Sequence, residues 1–107
     1  MSGYDLRDIS IHTFKDVYAD SFKFLNLQWI EEFFIVEEED LKILSNPKSY
    51  VIDKGGEIFF ALSEGEVIGT SAMVFARPKV FELAKMSVDK TFQGQGVDRI
   101  LIEASIT

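Results

Sequence analysis

Between Arg77 and Arg99 the chain has a local excess of basic charge: Arg77, Lys79, Lys85, Lys90 and Arg99 face only Glu82, Asp89 and Asp98. Overall, 11 Lys and Arg stand against 18 Asp and Glu, a formal net charge of −7, so an anionic ligand is drawn to this stretch before any other. Inside it lies the run Gln93, Gly94, Gln95, Gly96, Val97, Asp98, Arg99, set between a strand pattern and a helix pattern. At such a junction, backbone amides and the helix dipole together hold a phosphate. Neither common glycine fingerprint fits: GxxxxGK[ST] is absent, and Gly94 to Gly96 lacks the third glycine of the dinucleotide motif. On residue types alone, the two glycines serve either an anion loop or a plain tight turn.

Other chemistries are poorly supplied. The chain has no Cys, which removes disulfides, thiolate metal sites and cysteine nucleophiles. Its one His, His12, has no nucleophile or metal partner nearby in sequence and reads as a surface or strand-end residue. The acids Glu37, Glu38, Glu39 and Asp40 lack the spacing of a calcium loop and read as the start of a helix. The net negative charge argues against nucleic-acid binding. No apolar run is long enough to span a bilayer, and Met1 to Asp8 has no signal-peptide character, so a cytoplasmic protein without a membrane partner is expected.

At 107 residues the chain is expected to form one domain, residues 1–107. Leu6 to Ile11 carries a short strand signal. Phe14, Val17, Tyr18, Phe22, Leu25 and Trp29 recur at spacings of three and four and predict an amphipathic helix from about Phe14 toward Trp29. Phe33 and Phe34 leave that period, either as packing or as lining for an acceptor pocket. Leu41, Ile43 and Leu44 predict a second helix, stopped by Asn46 and Pro47. Strands are predicted at Glu57 to Leu62, Val67 to Phe75 and Val80 to Val88, with turns between them, and a helix at Val97 to Ile106. The order β, α, α, β, β, β, α belongs to the α/β and α+β layered classes, here with a mainly antiparallel sheet and helices on both faces.

The string Glu82, Leu83, Ala84, Lys85, Met86, Ser87, Val88, continuing through Phe92, Gln93, Gly94, Gln95, Gly96 to Arg99, Ile100, Leu101, resembles the acetyl-CoA-binding motif of the GNAT N-acetyltransferase superfamily. The element order resembles that family's N-terminal portion along the whole chain. The resemblance implies acetyl transfer from acetyl-CoA to a small-molecule or peptide amine. It implies that the backbone of Met86, Ser87 and Val88 pairs with the pantetheine arm, and that Gln93, Gly94, Gln95, Gly96 and Val97, followed by Asp98, surround the pyrophosphate. Glu82 matches the family's strand-borne base. Strand alternation puts Val80, Glu82, Ala84, Met86 and Val88 on one face, where a covered carboxylate gains basicity. Near the strand's start, the alternative is a solvated Glu82 beside Lys79.

Two departures from the family pattern stand out. Asp98 occupies a position normally held by Gly or Ala, adding bulk and a like charge, or capping its own helix and occupying the amides a phosphate needs. Family domains also generally continue with a further strand, helix and hairpin, which carry the usual Tyr acid; Tyr4, Tyr18 and Tyr50 do not match its position. The chain therefore resembles a truncated domain, and the uncovered strand Val80 to Val88 predicts a homodimer. The reading set against the enzyme is a non-catalytic remnant that dimerises and acts by protein contacts.

Overall fold

The structure is a computed structural model describing residues 9–106. The predicted strand at Leu6 to Ile11 lies partly outside them; its described part is β1, Ile9–Thr13. The predicted helix at Phe14 starts later. A single 3-10 turn at Asp16–Tyr18 precedes α1, Ala19–Phe33. Phe14 and Tyr18 serve the core from the connection instead, their rings 6.5 and 5.0 Å from that of Phe60, while Val17 is 75% exposed. Helical spacing was thus produced by loop packing at that end.

The acidic run starts α2, Glu38–Ser45, through a capping box: the Glu37 side chain accepts the Asp40 amide, and Asp40 accepts the Glu37 amide at 3.1 Å. Reciprocal capping of this kind satisfies two amides that the helix ladder cannot reach. A short π-helical segment at Lys48–Ile52 follows Pro47; no apolar period announces it.

Three strands then form a meander: β2, Glu57–Ser63; β3, Glu66–Arg77; and β4, Val80–Val88. Glu64 and Gly65 link the first two with φ of 51° and 82°, the left-handed pair that a two-residue hairpin turn requires. The sheet order is β1-β2-β3-β4, and every pairing is antiparallel. The last helix, α3, spans Val97–Ile106.

Helices cover both faces. Ile58, Phe60 and Leu62 of β2 face Phe22 and Ile30 of α1 and Leu44 of α2, whereas Ala61 packs with Ile68, Phe92, Val97 and Leu101. β2 is buried from both sides, so its apolar run Ile58 to Leu62 is nearly continuous instead of alternating. α3 approaches closely at Gly69, where a Cβ would lie 3.0 Å from Leu101 Cδ1 and 3.1 Å from Val97 Cγ1.

A bulge overturns one expectation. Ala72 pairs with Lys85 but Met73 pairs with Leu83, leaving Ala84 without an opposite residue. The extra residue breaks the period of two. Met86 and Val88, opposite Ser71 and Gly69, share the α3 face, while Glu82, opposite Val74, lies on the other face with Lys85 and Ser87. Glu82 is therefore not on one face with Met86 and Val88, and it is exposed rather than covered.

Candidate functional site

Among the described residues β4 is an edge strand whose only partner is β3. Gln93 Nε2 donates to the Val88 carbonyl at 3.1 Å, which places that carbonyl on the open side. In an antiparallel ladder, the backbone groups of alternate residues point the same way. Met86 therefore also turns its N–H and C=O to the open edge, available to an extended ligand that pairs as a strand does.

Beyond β4 the chain makes a 3-10 turn at Lys90–Phe92, held by the Asp89 side chain accepting the Thr91 amide at 2.9 Å. The turn is tied to α1 by an ion pair of 2.6 Å between Lys90 and Glu32. Gly94 and Gly96 follow with φ of 80° and 89°, a conformation that side chains strain to adopt. Nothing lies within 4 Å of where a Gly94 Cβ would stand, so its bare backbone faces open space. The ladder of α3 begins with the Ile100 amide donating to Gly96 at 3.2 Å. The amides of Val97, Asp98 and Arg99 precede it at the positive end of the helix.

These parts enclose a cleft of about 510 Å³, lined by Met86, Ser87, Val88, Gln93, Gly94, Gly96, Val97 and Asp98 together with Trp29, Phe92 and Arg99. Its two ends differ in chemistry: β4 offers backbone pairing against apolar Trp29 and Phe92, and the loop offers amides and the Arg99 cation. A ligand with a thin amide-bearing arm and a diphosphate head suits both ends.

Eight of the ten residues singled out in the sequence line this cleft. Gln95 does not; its side chain turns back to the Thr91 carbonyl at 3.1 Å. Glu82 does not either, lying beyond the bulge. Asp98 is exposed at the loop, and its carboxylate accepts no hydrogen bond from any described residue, so the expected self-cap is not formed. Trp29 was missed because helical spacing assigned it to the core, whereas it is 40% exposed and forms a wall.

A second cleft of about 430 Å³ opens between α1, α2 and β4 and shares Trp29 and Met86 with the first. Ser87 and Asn26, 3% and 2% exposed, hold α1 against β4 where the two meet: Ser87 Oγ donates to Asn26 Oδ1 at 2.7 Å, and Asn26 Nδ2 donates to the Phe22 carbonyl at 2.8 Å. On the far side Lys85 pairs with Asp40, and that ammonium, with the Glu37 amide, holds the Asp40 carboxyl below its usual value. No helix among the described residues is long and apolar enough to cross a membrane.

The same architecture occurs in known acetyltransferase structures. An acetyltransferase of the GNAT family from Staphylococcus aureus Mu50 superposes with a TM-score of 0.81 at 20% identity, over 92% of this chain and 63% of that one. An acetyltransferase from Streptococcus agalactiae 2603 gives 0.75 at 18% identity, over 94% and 65%. An aminoglycoside acetyltransferase from an uncultured soil metagenomic sample, in complex with sisomicin, gives 0.69 at 14% identity, over 95% and 70%. The chain thus spans somewhat less than two thirds of the first two structures. No curated protein matches it. These identities establish the fold alone, but the sequence description of the Acetyltransferase (GNAT) family matches residues 5–107, and to that family the chain belongs.

Proposed function

We propose that the chain binds acetyl-CoA in the first cleft and transfers its acetyl group to an amine. One observation carries this reading: the open edge of β4 at Met86 leads directly into the glycine loop and the free amides of α3. The pantetheine arm pairs along Met86, Ser87 and Val88, and the diphosphate lies against Gln93, Gly94, Gly96, Val97 and Arg99. The Gln95 side chain is directed elsewhere, so Gln95 contributes backbone only.

In the reaction the neutral amine attacks the thioester carbonyl carbon. A C–N bond forms, the C–S bond breaks, and coenzyme A departs as a thiolate that takes a proton from solvent. The proton lost by the amine passes to Glu82 through water. Glu82 lies on the face of β4 that the second cleft adjoins, which favours the base being reached from the acceptor side. The setting we infer is cytoplasmic.

The test is a pair of measurements. Acetyl-CoA is expected to raise the melting temperature of the chain, as a ligand of the folded state does by mass action. Glu82→Gln is expected to lower kcat by about a hundredfold while leaving that melting shift intact. A melting temperature indifferent to millimolar acetyl-CoA overturns the reading.

A second reading, a non-catalytic dimer acting through protein contacts, is favoured by one feature. Phe75, Phe81 and Leu83 are 41%, 47% and 46% exposed beside the unpaired edge of β4.

A further inference from the structure

The second cleft has a composition that selects a ligand. Its inner wall is Trp29, Ile30 and Met86, and its mouth is formed by Phe34 and Ile35, which are 65% and 86% exposed. Large apolar side chains left in water around a concavity mark a binding surface. The loop that carries them, between α1 and α2, is anchored by the Phe34 amide donating to the Ile30 carbonyl at 2.7 Å, so the mouth has a defined geometry.

The charge in the cleft is one-sided. Lys85 is neutralised by Asp40, whose other oxygen accepts the Glu37 amide. Glu37 caps α2 and has no cationic partner among the described residues. The balance left to a ligand is therefore one carboxylate at the rim of an apolar cavity. An ammonium group is attracted there, and a carboxylate or phosphate is repelled.

We propose that this cleft receives the acyl acceptor, and that the acceptor is a primary amine carried on an aromatic or branched apolar body. The apolar body lies against Phe34 and Ile35. The Glu37 carboxylate at the rim draws the cationic amine into the cleft, and the nitrogen, once it has shed its proton, reaches the wall of Trp29 and Met86 that separates the acceptor from the first cleft. The assignment rests on the acetyl-transfer reading, since it is the wall common to both clefts that gives the amine access to a thioester.

Trp29 is the only Trp in the chain and borders both clefts, so its fluorescence reports each separately. The chain is titrated with coenzyme A, and independently with phenethylamine, 3-phenylpropionate and spermidine. Saturable changes are expected with coenzyme A and phenethylamine, and none with the carboxylate or the apolar-poor polyamine. Phe34→Ala is expected to weaken phenethylamine about tenfold, the value of roughly one lost ring contact, with coenzyme A unaffected. Phe34 is exposed, and an unchanged melting temperature shows that the variant folds; Ile35→Ser repeats the test at a still more exposed position. A response to coenzyme A without one to phenethylamine overturns the acceptor assignment while leaving acetyl transfer standing, and so does equal binding of 3-phenylpropionate or indifference to both variants. No response to coenzyme A overturns the transfer reading, and the acceptor role with it.

Discussion

Lys85 Nζ lies 2.5 Å from Asp40 Oδ1 and joins the middle of β4 to the first turn of α2. Both side chains are largely covered, at 18% and 21% exposure. The contact therefore fixes one side of the second cleft, and it also settles the state of the carboxyl. Hydrogen bonding from Lys85 and from the Glu37 amide lowers its pKa from the ordinary 3.8.

Stability should follow that shift. Because the folded carboxyl resists protonation more than the unfolded one, the unfolded chain takes up the proton first as pH falls. The pair's contribution is complete well above the ordinary value and is lost as pH drops below it through the folded value. Asp40→Asn is expected to lose roughly 1 kcal/mol at pH 7 after allowance for solvent. In urea titrations the gap between the two proteins should narrow steadily toward pH 3 and below. A gap of constant size would mean that Asp40 acts through its shape alone.

The docking of α3 offers a second test. A Cβ on Gly69 would meet Leu101 and Val97 at 3.0 and 3.1 Å, and both are buried, at 0% and 1% exposure. Neither can swing into solvent. Gly69→Ala should cost about 1–3 kcal/mol as overpacking, read as a fall of several degrees in melting temperature. Val97 also lines the first cleft, so acetyl-CoA affinity should fall with it. A variant as stable as the parent would show that α3 shifts freely on the sheet.

Most of these elements were legible in the sequence because their signals are local. The acids before Leu41 start α2, Glu64-Gly65 turns the hairpin, and Gly94 and Gly96 take positive φ between β4 and α3. What escaped depends on partners distant in the chain. The bulge at Ala84 follows from pairing with β3, so strand alternation assigned Glu82 to the wrong face. Lys85 and Asp40 are 45 residues apart, and nothing local couples them. Trp29 obeys the helical period of a core residue; only the position of β4 and of Phe92 makes it a wall between two clefts.

Self-association is expected along the Val80 to Leu83 half of β4, which leaves the edge at Met86 to Val88 to the ligand. Among the described residues, the nine residues of β4 have one hydrogen-bonded neighbour strand, β3. Beside them the rings of Phe75 and Phe81 sit 5.8 Å apart at 73°, both partly in water. An exposed edge flanked by apolar side chains pairs with a like edge, and a charge placed on it blocks the pairing. Light scattering should find a homodimer, with Leu83→Lys shifting it to monomer. A parent chain that stays monomeric at high concentration removes this expectation and the non-catalytic reading built on it.

Asp98 decides how well the glycine loop holds a diphosphate. Its carboxylate lies exposed at the first turn of α3, borders the cleft and accepts no hydrogen bond from a described residue. At a helix start an acid gains about 0.3–1 kcal/mol from the dipole. The same position puts it beside any phosphate bound at those amides, where two like charges at about 4 Å repel by up to roughly 4 kcal/mol at an effective dielectric near 20. Exposure and salt reduce that repulsion strongly, yet the remainder exceeds the small gain in helix stability once a ligand binds. Asp98→Asn keeps the size and removes the charge. Calorimetry should show acetyl-CoA binding about tenfold tighter, with the advantage shrinking at 0.5 M salt as the Debye length falls to about 4 Å, while the ligand-free variant melts slightly lower. Equal or weaker binding at low salt would mean that the diphosphate lies away from Asp98, and hence away from the amides of α3.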